Sequence, residues 1–485
     1  MAMMSIDGLI TGLNTSEIIA QLLKIEAVPQ TALKNKVAEH NKAISAYQAV
    51  NTKMAALLTA AKAVNDPKTW TAMKATASSD VVAVTAAPGA DVGELTFKVD
   101  RLAAAHTVIF SGRVSSLTDP ETAPVISGNT IEVLLTDGTT KTVTPVDASL
   151  YAVVKAINET ENAAYRAAAI QVAPGQYTLQ LTATESGANS TFAAAAAGSY
   201  VLGGLDGLGT GTVTTQGTDA QITVGSTATF TVTSHSNTFE DVLPGVTITL
   251  LKAQSATDSP VTVSIAPDRE AIAAKVQAMY EAANVALGEL KTQGAAQNGA
   301  IPAGTLSGDA AIRQLIHDIL SAVAGGAGEH GSYSKVGIEL DRWGNLTFDK
   351  EKFMNALAAD PAGTRALFDA YENVPGGRAT ELFEPGHDIA YGLARKLETI
   401  ARNATEGIAL PTDPIDKPKE GLIAGLIKRR NEFISSLNEQ IDKWDLRLAA
   451  REAALQRQFA AMEVALSRLH SQSTWLAGQI ATLMR

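Results

Sequence analysis

The sequence predicts an α+β multidomain protein. N- and C-terminal helices form a coiled-coil leg, and antiparallel β-rich head domains are inserted between them. Three observations predict this. Apolar residues recur at helical spacing at both ends of the chain and with a period of two in the middle. The closing segment repeats an apolar residue every seventh position without a break. The middle carries short β-branched runs punctuated by Asp-Gly and Pro-Gly turns.

The first helix follows LNTSE. Asn14 or Thr15 is its N-cap, and Glu17 stands three residues after Asn14, as in a capping box. Ile18, Ile19, Leu22, Leu23 and Ile25 give a broad apolar face, which Pro29 interrupts. A second helix runs to about Val64. Its seam alternates by four and three through Leu33, Val37, His40, Ile44, Tyr47, Asn51, Met54, Leu58 and Ala61. A seam Asn such as Asn51 fixes register or partner number at some cost in stability. His40 reads as a seam or rim residue, because no second ligand lies at helical spacing.

From about Thr76 the period becomes two. VVAVTA, ELTFKVDRL and HTVIFSG are predicted strands. NTIEVLLTDGTTKTVTP is a hairpin turning at Asp137-Gly138. DASLYAVVKAINE is a short helix capped by Asp147. AAIQVAPGQYTLQLTATE is a second hairpin turning at Pro174-Gly175. Together they form a ββαββ unit. A loose Ala-, Gly- and Thr-rich tract follows. AQITVGSTATFTVTS and GVTITLLKAQSATDSPVTVSIAP then complete the sheet begun at Val81, which makes the ββαββ unit an insertion in that sheet.

Helix resumes after Asp268 and runs to about Leu290. GDAAIRQLIHDILSAV is a helix capped by Asp309. GIELDRWGNLTFD is a hairpin turning near Gly344-Asn345, and KEKFMNALAADPAGTRALFD is a helix pair broken at Asp360-Pro361. A proline-rich loop leads to Gly421. The last helix then runs to the end of the sequence. Ile434, Ile441, Leu448, Leu455, Met462, Leu469, Leu476 and Leu483 lie seven apart. A companion row sits three residues on at first (Leu437, Trp444) and four residues on later (Phe459, Leu466, Ile480). About 60 residues at 1.5 Å rise make a rod on the order of 90 Å. Only another long helix can cover it. Leu33 to Ala61 is the matching heptad helix in the chain, so the two ends lie alongside one another. The N-terminal partner is shorter, which leaves part of the seam for other subunits. The expected domains are 1–40 with 435–485 (terminal coiled coil), 41–75 with 266–434 (helical leg), 76–112 with 205–265 (β-sheet domain) and 113–204 (inserted ββαββ head).

Composition narrows the function classes. The chain has no cysteine, so thiol nucleophiles, disulfides and Cys-ligated metals are excluded. Its net charge of −11 argues against general nucleic-acid binding. Residues 76–265 hold 17 acidic and 7 basic side chains, so nearly all the excess charge lies there, as a solvated and self-repelling region. No run of about 20 apolar residues predicts membrane insertion, and MAMMSIDGLITGLNTSE lacks the pattern of a secretory signal peptide. No P-loop, HExxH or GxSxG motif occurs, and the 7 histidines are scattered. LGGLDGLGTG reads as a loop, not a phosphate cradle. DRWGNLTFD has Trp343 at the third position of a calcium loop and Leu346 at the sixth, where Gly is needed, so it is rejected. An enzyme is not expected, and no cofactor or metal is implied.

SIDGLITGLNTSEIIAQLLKIEAVPQTAL, with Gly8–Leu9, Gly12–Leu13 and Pro29, resembles the opening of the bacterial flagellar filament cap family, the FliD family of flagellar hook-associated proteins. FEDVLPGVTITLLKAQSATDSPVTVSI and GIELDRWGNLTFDKEKFMNALAADPAGTRALF are similar to its middle segments. The closing helix resembles that family's last helix at Glu452, Leu455, Gln458, Phe459, Met462, Glu463, Leu466, Leu469, Ser471, Gln472, Trp475 and Leu476. Residues 113–216 carry little of the resemblance. It implies a homo-oligomeric ring of about four to six subunits at the distal, extracellular tip of the flagellum. Flagellin, the hook–filament junction proteins and a flagellar export chaperone are its implied partners. Export is implied by the flagellar type III route, without a cleaved signal peptide. The assembly seam expected on this reading is Leu33, Val37, Ile44, Tyr47, Asn51, Met54, Leu58, Ile434, Ile441, Trp444, Leu448, Leu455, Phe459, Met462, Leu466, Leu469 and Leu476. The alternative is a surface adhesin whose β head binds a host or environmental ligand.

Overall fold

Asn14 opens the first helix, α1 (Thr15–Glu26), as a reciprocal cap. Its Oδ1 accepts from the Glu17 N–H at 3.1 Å, and its Nδ2 donates to Glu17 Oε2 at 3.0 Å. The computed structural model describes residues 14–192, 199–200, 204–225, 229–377, 382–409, 412–413 and 419–483. The Gly8–Leu9 and Gly12–Leu13 pairs and part of the proline-rich loop lie outside them. α2 (Val28–Asn65) starts before Pro29, not after it. Proline costs nothing in a first helical turn, where its missing N–H would have no partner, so the break falls at Ala27.

The chain divides into two compact units, 1–67 with 272–485 and 68–271. The second begins in a short α3 (Pro67–Trp70). Strands β1 (Met73–Ala77), β2 (Val82–Ala86), β3 (Gly93–Arg101) and β4 (Ala105–Phe110) follow. Next come β5 (Ile131–Leu134), β6 (Thr140–Val143), helix α4 (Leu150–Glu159), β7 (Tyr165–Ala173) and β8 (Gln176–Ser186). The rest of the unit is β9 (Ser199–Tyr200), β10 (Gly211–Thr215), β11 (Ala220–Val224), β12 (Phe230–Ser234), β13 (Thr238–Leu243), β14 (Val246–Leu250) and β15 (Val261–Pro267).

Pairing is antiparallel throughout, and it partitions these strands differently from the single sheet expected. One sheet has the order β1-β15-β3-β11-β12, and β13-β14-β2 form a separate three-stranded sheet. The two share a core with Phe97, Val99, Ile222, Ile248 and Val263 at its centre. The other five-stranded sheet, β7-β8-β4-β10-β9, takes β4 and β10 from either side of the ββαββ segment. β5 and β6 stand apart as a two-stranded ribbon. α4 packs on β7 over a second core of Val108, Leu150, Val153, Ile157, Tyr165, Leu179 and Leu181. Each such fully buried apolar side chain contributes roughly 1.5–3 kcal/mol. The cap of α4 is Ser149, whose Oγ accepts from the Ala152 N–H. Asp147, the expected cap, instead accepts from the Ser149 N–H at 2.8 Å and so shapes the approach to the helix. At Gly207, in the described part of the Gly-rich tract, the backbone is close-packed: a Cβ there would sit 2.6 Å from the Pro124 carbonyl oxygen.

From Ile272, inside α5 (Arg269–Gly294), the chain belongs to the first unit, which goes on with α6 (Ala310–Ala324), a hairpin of β16 (Ile338–Leu340) and β17 (Leu346–Phe348), α7 (Lys350–Ala359) and α8 (Pro361–Asp369). Asp309 caps α6 as its position predicts, and Asp360, at the break between α7 and α8, caps α8. A minimal ladder of β18 (Tyr371–Glu372) and β19 (Ile389–Ala390) precedes α9 (Leu393–Thr405) and the 62-residue α10 (Leu422–Leu483). No helix among the described residues is long and apolar enough to cross a membrane.

Candidate functional site

α1 and α2 run antiparallel to α10, and polar pairs mark the register. Arg451 Nε donates to Glu26 Oε2 at 3.2 Å. Gln30 Nε2 donates to Asp445 Oδ1. His40 Nδ1 lies 3.1 Å from Arg430 Nη1, and its ring stacks on Phe433 with centroids 5.7 Å apart. Thus, as the position on α1–α2 rises from 26 to 40, its partner on α10 falls from 451 to 430. His40 is a rim residue of the seam, as its spacing suggested.

Between these pairs lie the apolar residues. Leu33, Val37 and Ile44 are half-buried on α2, opposite a stretch of α10 that includes half-buried Ile434 and Trp444 and buried Ile441. Further along α10, Leu455 is buried, and Leu448, Phe459, Met462 and Leu466 are half-buried. Ile19 of α1 is buried as well.

The second half of the α2 seam serves a different neighbour. Tyr47 is 1% exposed, and its hydroxyl donates to Asp309 Oδ2, the capping carboxylate of α6. Burial and that hydrogen bond push the phenol above its ordinary pKa. Beyond it, Met54, Leu58 and Ala61 are fully covered, and this end of α2 packs against α9. α9 was not singled out from the sequence, although Leu393, Leu397, Ala401 and Ala404 recur at fours and threes along it. Its buried Glu398 accepts from Asn65 Nδ2 at 2.7 Å and from Arg402 Nη2 at 2.8 Å. Asn51 is half-buried between the two neighbourhoods, and its Oδ1 meets no hydrogen-bond partner.

At its other end α10 outruns its partner. Residues 468–480 are exposed throughout. Leu469 is 60% and Leu476 52% exposed, beside exposed Trp475 and Ile480. These continue the heptad that buries Ile441 and Leu455. Among the described residues nothing covers them.

A seam of this kind binds helices and performs no chemistry. Among the described residues no group of His, Asp and Glu is placed to hold a metal. The Asp341 carboxylate of the hairpin turn is engaged by its own loop, accepting from the Trp343 and Asn345 N–H groups at 2.8 Å each.

Two family profiles match the chain. One, described as Flagellar hook-associated protein 2 C-terminus, covers residues 217–471. The other, the corresponding N-terminus, covers residues 11–106. The chain belongs to the flagellar hook-associated protein 2 family, the FliD family. That is a structural family of the bacterial flagellum and not a family of enzymes. Lateral flagellar hook-associated protein 2 of Vibrio parahaemolyticus is 30% identical over 44% of this chain and 48% of its own length, so that match spans about half of the relative. Flagellar hook-associated protein 2 of Escherichia coli is 24% identical over 99% of this chain and 98% of its own. Among solved structures, the D1-D2-D3 domains of the Escherichia coli flagellar cap protein FliD match at TM-score 0.56. That match covers 80% of this chain and 99% of the other at 21% identity, and it supports the same fold. Both profiles leave out residues 107–216, the span that holds most of the second five-stranded sheet and its helix.

Proposed function

We propose that this chain is a flagellar filament cap. Copies form a ring-shaped plate at the filament tip, where they retain exported flagellin and promote its folding and insertion. One observation carries the reading: the apolar seam of α10 continues, uncovered, through Leu469 and Leu476. A helix face of that pattern is complementary to other long helices, such as those of neighbouring copies or of filament subunits. The mechanism is mechanical. The plate blocks the exit, a gap opens beneath one subunit, and the docking of each flagellin drives the next step without nucleotide.

On this reading the assembly residues are the seam positions from Leu33 to Leu58 and from Ile434 to Leu476. The plate has about four to six subunits, is extracellular, and leaves the cell by the flagellar type III route. Its further partners are the hook–filament junction proteins and an export chaperone. The four-part division of the chain is carried with it, the inner head now reaching from about 105 to 215 because β4 and β10 pair into its sheet. The adhesin alternative rests on less: an open hollow of about 340 Å³ on that head, between residues 141–146 and α4.

The test is Leu469→Asp with Leu476→Asp. Both positions are exposed, so the variant is expected to fold and melt as the parent does. In cells it is expected to leave short or absent filaments and flagellin in the medium. Normal filaments with no released flagellin would overturn the reading.

A further inference from the structure

The hairpin of β16 and β17 ends in a turn that is fastened from three directions. Gly344 takes φ +73°. The Asp341 carboxylate accepts from two backbone N–H groups and from Asn345 Nδ2 at 2.9 Å. Lys291 Nζ donates to the carbonyls of Trp343 and Gly344 at 3.0 and 2.9 Å. The product of this fixation is an indole held out in solvent: Trp343 is 66% exposed. The Arg342 guanidinium lies 4.0 Å above its ring centroid. A large aromatic kept rigid at the surface loses little conformational freedom on docking. Trp and Arg are also the side chains that most often dominate protein interfaces.

On the same unit, α6, α9 and the approach to β19 enclose an open groove of about 510 Å³. Ala322, Ala390 and Ile400 supply apolar lining, and Asp318 and Asp388 supply carboxylates. Asp388 spends both oxygens on the N–H groups of Val374 and Glu384. Asp318 accepts from Gln314 through Oδ1 at 2.7 Å, and among the described residues its Oδ2 takes no hydrogen bond, so this lining carboxylate has an acceptor to spare. The one lysine in the lining, Lys396, has its Nζ committed to the Gly326 carbonyl at 2.7 Å. The groove therefore combines apolar surface from Ala322, Ala390 and Ile400 with two carboxylates against one lysine, the complement of an indole carrying a guanidinium.

The knob cannot fill the groove of its own chain. The hairpin tip lies against α6 on its Leu320 side, since a Cβ on Gly344 would stand 3.5 Å from Leu320 Cδ2. The groove lies on the side bearing Asp318 and Ala322, about 200° around the helix. We infer that Arg342 and Trp343 of one copy dock into the Asp318–Ala322–Ile400 groove of the next. This contact is head-to-tail, the kind that closes into a ring. It rests on the reading that copies of the chain assemble, and it names the surfaces by which they do so.

The native chain has no cysteine, so introduced thiols are unique. Full-length Glu339→Cys and Ser321→Cys variants, thiols beside the knob and in the groove lining that leave Arg342, Trp343 and Asp318 in place, are each shown by circular dichroism to fold as the parent, mixed in equal amounts and treated with a short bismaleimide. A covalent pair is expected from this mixture. None is expected when Ser321→Cys is replaced by Glu439→Cys on the exposed side of α10, or when Trp343→Ala is added to the Glu339→Cys chain. Trp343→Ala alone is expected to weaken self-association at least tenfold by sedimentation. Assembly of the parent chain without the covalent pair would overturn the knob-and-groove contact and leave the assembly reading standing. A parent chain that stays monomeric at every concentration would overturn both.

Discussion

At the start of β4, His106 is 1% exposed and lies edge-on to Phe192 with ring centroids 5.0 Å apart, and neither ring nitrogen finds a hydrogen-bond partner. Burial alone pulls its pKa below the usual histidine value. The folded state therefore holds the imidazole neutral, whereas the unfolded chain takes up a proton near pH 6.5. The stability that goes with the neutral ring is fully present above that pH. It is lost as the pH falls toward the depressed folded pKa, by at most about 1.4 kcal/mol per pH unit. Denaturant midpoints of the 68–271 unit are expected to drop between pH 7.5 and 5. His106→Phe is expected to flatten that drop, and an unchanged slope would refute the assignment. Asn51 poses the opposite case in the helical unit. Its unpartnered Oδ1 carries a desolvation cost with no bond to offset it. Asn51→Leu is expected to raise stability by about 1 kcal/mol, read as a higher melting temperature. A lower one would mean that the amide secures the packing of α2.

The heptads made the long helices legible at the level of elements, and the pairing of α2 with α10 followed from finding two matching seams, whereas its antiparallel direction and the share of α1 in it came from the structure. What the pattern could not reveal was that the α2 seam changes partner near Tyr47. A heptad specifies a face and not a neighbour, and α9 presents the same spacing in 13 residues enclosed by loops. The strands repeat the lesson. β4 and β10 alternate as any half-buried strand does, so the place of β4 between β8 and β10, and not beside β3, is a fact of tertiary pairing that local sequence does not encode. Likewise Asp147 and Ser149 are both good cap residues, and geometry chose the second. One prediction belongs to α10 itself. Ending the chain after Ser467 removes only exposed side chains among those the structure describes, residues 468–480. The melting temperature should move little, with a change within about 0.5 kcal/mol, while filament capping is lost. By contrast Leu455→Ala, at a position only 5% exposed, should cost about 2–5 kcal/mol. Equal losses from the two changes would show that the covered and uncovered halves of the seam do not differ.

Taken whole, the chain is a discontinuous unit interrupted by a continuous one. The 68–271 span holds both β cores and all of their strand pairings, so it is expected to fold alone with a single cooperative transition. Expression of that span followed by hydrogen exchange checks this, and uniformly fast exchange would refute it. The contact between Glu26 and Arg451 joins residues 425 positions apart, and every pairing of α1–α2 with α10 shares that separation in kind. Closing so long a loop costs entropy that grows as about (3/2)RT ln n, so each halving of the free chain saves roughly 0.6 kcal/mol. An inserted unit that is already folded shortens the searching chain before the ends meet. Time therefore acquires a direction along this polypeptide. If it is delivered N-terminus first, α1 and α2 are out early and must wait, solvated, while the β unit completes itself. The rod snaps shut only when α10 arrives, and within α10 the covered stretch precedes the uncovered one beyond Ser467: the unpaired face emerges after the fold that carries it has closed.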